Sequence, residues 1–188
     1  MVGKKYLNNN YFSITRDEFL FLVMCQGTEE FFDIEILEKW DTCKLEENMQ
    51  SLRKKGYLIE DGEGLMSVNP LLDTWMYVVT HFQGYFEAIS QQERRFMVFF
   101  YEESIVTLYM KDTIIELIWL PFIHLAIGQM VGILKMEDHR SWIFKSQFAK
   151  SEIIEEISLS SERFMDVINN VSNLLIELYG GVMRGIVE

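Results

Sequence analysis

Apolar and polar residues alternate with two different periods along the chain, and the period changes near residue 81. Before that point the spacing is helical. Thr15-Arg-Asp-Glu18 reads as a capping box, in which the threonine side chain caps a backbone N–H and Glu18 reaches back. Phe19, Leu20, Leu22 and Val23 then give an apolar face, stopped by Gly27. Ile34 to Trp40, behind Asp33, reads as a short second helix. Leu45, Met49 and Leu52 mark a third, closed by Lys54-Lys55-Gly56, with cations at the negative end of the dipole and glycine past the end. Tyr57–Ile59, the turn Asp61-Gly-Glu-Gly64 and Leu65–Val68 form a small hairpin. Asn69 caps and Pro70 opens a fourth helix, with Leu71, Leu72, Trp75, Met76 and Val79 on one side.

From residue 82 the pattern is that of strands. Phe82–Ile89, Arg94–Tyr101, Ile105–Met110 and Thr113–Leu120 are joined by Ser90-Gln-Gln-Glu93, Glu102-Glu103-Ser104 and Lys111-Asp112. Short polar joints between such runs predict an antiparallel meander. Pro121–Leu134 is expected to be a helix covering the sheet, with Pro121 in its first turn. Trp142–Phe148 reads as a further strand, and Ile153–Ile157 fits no single element. Phe164, Val167, Ile168, Val171, Leu174, Leu175 and Leu178 place the last helix, started by Ser160 or Ser161 and ended at Gly180-Gly181. The expected class is α+β, with winged-helix-like helices and a hairpin preceding an antiparallel meander covered by helices. One domain over residues 1–188 is expected, made of a winged-helix-like part (14–80), a sheet part (81–150) and a helical part (151–188).

Composition narrows the function classes. Of 188 residues 49% are hydrophobic and 14% aromatic, enough for a packed core and too apolar for disorder. The net charge of −12 repels nucleic-acid phosphates and anionic lipid heads. Cys25, among Leu22, Val23 and Met24, reads as a buried apolar side chain, and Cys43 as partly exposed; both are expected reduced, as in a cytoplasmic protein. Met1–Tyr6 holds two lysines with no apolar core behind them, unlike a signal peptide. Leu117–Leu134 carries no charge over 18 residues. Pro121, His124, Gln129 and two glycines favour a strand followed by a helix over a membrane span.

The search for chemistry returns little. Gly62 and Gly64 lie in a hairpin turn with no phosphate-loop Lys-Ser/Thr behind them. His81, His124 and His139 stand far apart, without a second ligand at metal spacing. Glu102-Glu103 and Glu155-Glu156 are adjacent pairs, and neighbours on a strand face opposite sides. No catalytic, cofactor-binding or metal-ligating residue is singled out, and neither enzyme activity nor a cofactor is expected. Candidate partner contacts are Phe31 and Phe32 in a loop, and Gln91, Gln92, Glu102 and Glu103 at strand joints. The alternative roles are anchoring of the second helix for the phenylalanines and plain solvated turns for the rest.

Three helices and a two-stranded wing between Thr15 and Val68 match a winged-helix outline. Glu46 and Glu47 fall where its third helix would meet DNA, and Glu60, Asp61 and Glu63 lie in the wing. The element is therefore read as one for packing or protein contact. An acidic winged-helix regulator, or a protein-interaction module without DNA binding, is the second reading.

The order of elements resembles the EspG-type chaperones of type VII (ESX) secretion and their Gram-positive relatives. The matching stretches are Ile14-Thr-Arg-Asp-Glu-Phe-Leu-Phe-Leu22, Met49-Gln-Ser-Leu-Arg-Lys-Lys-Gly-Tyr-Leu58 and Asp61-Gly-Glu-Gly-Leu-Met-Ser-Val-Asn-Pro-Leu-Leu72. The meander from Phe82 and the Leu120-Pro121 helix entry follow in the same order. The resemblance covers about residues 14–135 and departs beyond them, where this chain is short. It implies a cytosolic chaperone that caps an apolar helical tip of a secreted effector, either a helical WXG/LXG-type substrate or a small WXG-type protein. It implies no nucleic acid and no membrane insertion, and leaves a homodimer open.

Overall fold

The computed structural model describes residues 11–28, 30–31, 34–35, 42–90, 94–136, 141–148, 151–158 and 164–185. At its centre is an antiparallel sheet of seven strands: β1 (Tyr11–Thr15), β6 (Gly84–Ser90), β7 (Arg95–Tyr101), β8 (Ser104–Lys111), β9 (Ile114–Leu120), β10 (Ser141–Phe148) and β11 (Ser151–Ser158). Their spatial order is β1-β9-β8-β7-β6-β10-β11. The meander β6 to β9 pairs strand by strand, as its short polar joints require. β10 then returns to the far side and pairs with β6, setting Phe144 opposite Ala88. β1 closes the other side against β9, with Ile14 opposite Ile115.

The pleat divides the core in two. Met97, Phe99, Val106, Leu108, Ile115 and Leu117 face the helices α1 (Arg16–Cys25) and α3 (Pro70–Thr80), whose Phe19, Leu22, Trp75 and Met76 are fully buried. α2 (Thr42–Lys54) adds Leu52 to this layer. On the opposite face Phe86, Phe96, Val98, Phe100, Trp142 and Phe144 pack against α4 (Ile123–Met136) and α5 (Phe164–Gly185). Sheet strands buried on both faces read as apolar runs, which is why Phe96–Tyr101 carries six consecutive large apolar side chains.

Local chemistry sets the element ends. The capping box forms: Glu18 N–H donates to Thr15 Oγ1 at 3.2 Å, and Thr15 N–H to Glu18 Oε2 at 2.7 Å. Asn69 Oδ1 accepts from Leu71 N–H at 3.0 Å with Pro70 in the first helical turn. The small hairpin β4 (Leu58–Glu60) and β5 (Met66–Val68) turns through Gly64 at φ +82°, held by Asp61 Oδ1 accepting from Glu63 and Leu65 N–H.

Several expectations give way. Tyr11–Thr15 is a strand that the helical signal at Thr15 masked. Ile34–Glu35, expected to open a second helix, is β3, paired with β2 (Glu30–Phe31); residues 36–40 lie outside the described set. β-Branched and aromatic residue types favour such extended pairing. Pro121 stands in the bend before α4 rather than in its first turn. Ile153–Ile157 is part of strand β11, and α5 runs through Gly180-Gly181 to Gly185. Cys25 is exposed at the end of α1 rather than buried, and Cys43 is exposed as well. Leu117–Leu120 ends β9 while Ile123 begins α4. No helix of the described residues is long and apolar enough to cross a membrane.

Candidate functional site

The residues singled out for partner contact are dispersed. Phe31 is buried, its ring edge-on to Phe19 at 5.2 Å and tilted against Phe99 at 6.3 Å, so it serves the core beneath the sheet. Phe32, Gln91 and Gln92 lie outside the described residues. Glu102 and Glu103 are exposed and form the two-residue turn between β7 and β8. Glu102 adopts φ +50°, a conformation that side chains other than glycine adopt at a cost of roughly 1 kcal/mol. Gln83 helps to hold it there, its Oε1 accepting from Glu102 N–H at 2.9 Å.

Aromatic rings surround that turn. Tyr77 stacks on His81 at 4.1 Å and meets Tyr101 edge-on at 5.3 Å. A hydrogen bond with Tyr77 and its negative neighbourhood, Glu102 included, raise the Tyr101 phenol above its ordinary pKa. The turn is therefore an acidic corner with half-exposed aromatic walls.

A second exposed surface lies on α4. Ile123, Ala126, Met130, Ile133 and Leu134 are buried against the sheet. Thr107 pins the helix from below, its hydroxyl donating to Gln129 Oε1 at 2.8 Å. The opposite side of α4 carries exposed His124, Leu125 and Gly128, with half-buried Gly132 one turn on. Leu125 is 49% exposed, and Phe122 in the preceding bend 66%. A Cβ added at Gly128 or Gly132 would meet no atom within 4 Å, so the helix backbone lies open there. Surface helices normally show charge to water, and a helix apolar all round is normally covered. The reading of residues 117–134 as buried strand and helix missed this outer face. Its sequence signal was the lack of any charge on the turns opposite the core.

Among the described residues no cluster of three His, Cys, Asp or Glu could hold a metal ion.

No family model matches the chain, and no curated protein does so by sequence. Among solved structures it is similar to the Mycobacterium tuberculosis type VII secretion system chaperone EspG5, solved in complex with a PE25-PPE41 dimer. The TM-score is 0.53 at 11% identity, over 90% of this chain and 67% of that one. The two chains share a fold. At that identity the likeness to EspG5 concerns the path of the backbone and carries no residue roles. At 90% coverage the likeness runs past residue 135, where the sequence resemblance ended.

Proposed function

We propose that this protein is a cytosolic chaperone or adaptor for a type VII secretion effector, binding a helical WXG/LXG-type substrate and shielding its apolar tip. The observation that carries the reading is the fold shared with EspG5 over 90% of the chain. The open outer face of α4 supports it physically. Phe122 and Leu125 supply large apolar side chains, while Gly128 and Gly132 leave room for a ridge of another helix to approach closely. The acidic corner at Glu102 and Glu103 supplies a polar rim for orientation, the usual arrangement around an apolar contact.

Co-expression with the helical secretion substrates of its own locus tests the reading. A discrete soluble complex on size exclusion, with the substrate aggregating in its absence, is the expected result. Failure to form a complex with any of those substrates refutes it.

A further inference from the structure

The two ends of the seven-stranded sheet are unlike. At the β1 end the backbone donors are occupied within the molecule: Ser13 N–H donates to the Tyr57 hydroxyl at 3.4 Å and Thr15 N–H to Glu18. Tyr57 also packs edge-on against Phe12 of the same strand, at 5.1 Å. Tyr57, just before the β4–β5 hairpin, thus guards that edge. At the other end stands β11, paired with β10 over all eight residues from Ser151 to Ser158. Among the described residues no strand lies on its outer side. An outermost strand of this length presents a row of backbone donors and acceptors, a template for another extended chain.

The sequence of β11 limits what can pair there. Ser151-Glu-Ile-Ile-Glu-Glu-Ile-Ser158 contains three carboxylates and no lysine or arginine. A second copy fits poorly. Antiparallel pairing about a two-fold axis centred on Ile154 sets Glu152 opposite Glu156. Centred on Glu155 or Glu156, it sets that glutamate opposite itself. Like charges directly opposite destabilise a strand pair. Centred on Ile153 the clash is avoided, but only Ser151–Glu155 of the strand can pair.

We propose that the outer edge of β11 takes an extended, basic segment of a partner protein as an eighth strand. The backbone ladder supplies affinity, and the net negative charge of a strand holding three glutamates favours lysine- and arginine-bearing segments over acidic ones. This edge is independent of the secretion-chaperone reading, because it needs no helical partner and does not use α4.

The test uses the full chain and labelled eight-residue peptides, capped at both ends. One alternates lysine with valine, one alternates glutamate with valine, and one is the lysine peptide with proline at two of its valines. Fluorescence anisotropy is expected to show the lysine peptide binding at least about tenfold tighter than either other, and weakening with salt. Hydrogen exchange should slow at residues 151–158 when it binds. In E155K/E156K the preference should turn toward the glutamate peptide. Should that variant lose its native circular dichroism, E155Q/E156Q must at least narrow the preference. The proposal is overturned if no peptide binds, since the glutamates then only guard the edge. It is equally overturned if lysine and glutamate peptides bind alike, or if the protection appears elsewhere.

Discussion

Glu18 closes the capping box of α1 and also receives Lys55 Nζ at 2.6 Å, tying the first helix to the end of the second. Its carboxylate is buried. Burial alone would raise its pKa, but hydrogen bonds from Lys55, Ser51 and the Thr15 backbone outweigh burial and hold it below the ordinary value of 4.5. A depressed carboxylate stabilises the fold above its unfolded-state pKa, and that contribution is lost as pH falls through the lower folded-state value. Glu18→Gln should therefore cost about 1–3 kcal/mol at neutral pH. In urea titrations run from pH 7 to pH 3, the gap between the two proteins should close on acidification. A gap that stays constant would show that the charge is immaterial. Ser146 presents the opposite case, a buried hydroxyl with no hydrogen-bond partner among the described residues, inside the apolar layer under α5. Ser146→Ala should leave stability unchanged or raise it by up to about 1 kcal/mol, read from the same titrations. At this scale the chain was partly legible. The capping box could be read because its partners lie three residues apart. Lys55 was assigned only to the helix dipole, because its second role depends on a residue 37 positions away. Cys25 misled because apolar neighbours in sequence stand on other sides of a helix in space.

α4 shows where element-level reading stops. From Ile123 to Leu134 it carries no charged residue on any side, so periodicity could not tell the face against the sheet from the face against water. Thr107 beneath it, bonded to Gln129, fixes the rotation. Leu125→Asp places a charge on the outer face. Stability should change by less than about 0.5 kcal/mol in a thermal melt, because Leu125 gives little to the core. Complex formation with a helical secretion substrate should fall at least about tenfold, as a desolvated carboxylate would have no partner. Equal binding by the variant would move the contact off α4. The segment at Ile34 erred for a related reason: helix and bridge differ little in a short stretch, and Phe31 packing on Phe19 and Phe99 decides between them.

For the molecule as a whole, charge and topology act together. The net −12 favours basic or neutral partners, and the exposed turn at Glu102 and Glu103 brings part of that charge beside Tyr77, His81 and Tyr101. If this corner steers the secretion substrate, Glu102→Lys with Glu103→Lys should slow association several-fold at low salt. It should leave dissociation nearly unchanged, as surface plasmon resonance would record. A change confined to dissociation would instead make the corner part of the buried contact. The sequence by itself determined the class, the meander β6 to β9, the caps that open α1 and α3, and the acidity, because each is written in neighbours or in totals. Only the tertiary structure decided that β1 and β10 close opposite sides of the meander, that Phe31 belongs to the core, and that α4 leaves an uncharged face outward. Those outcomes depend on residues brought together from distant parts of the chain, and the energy of their packing is absent from any local pattern.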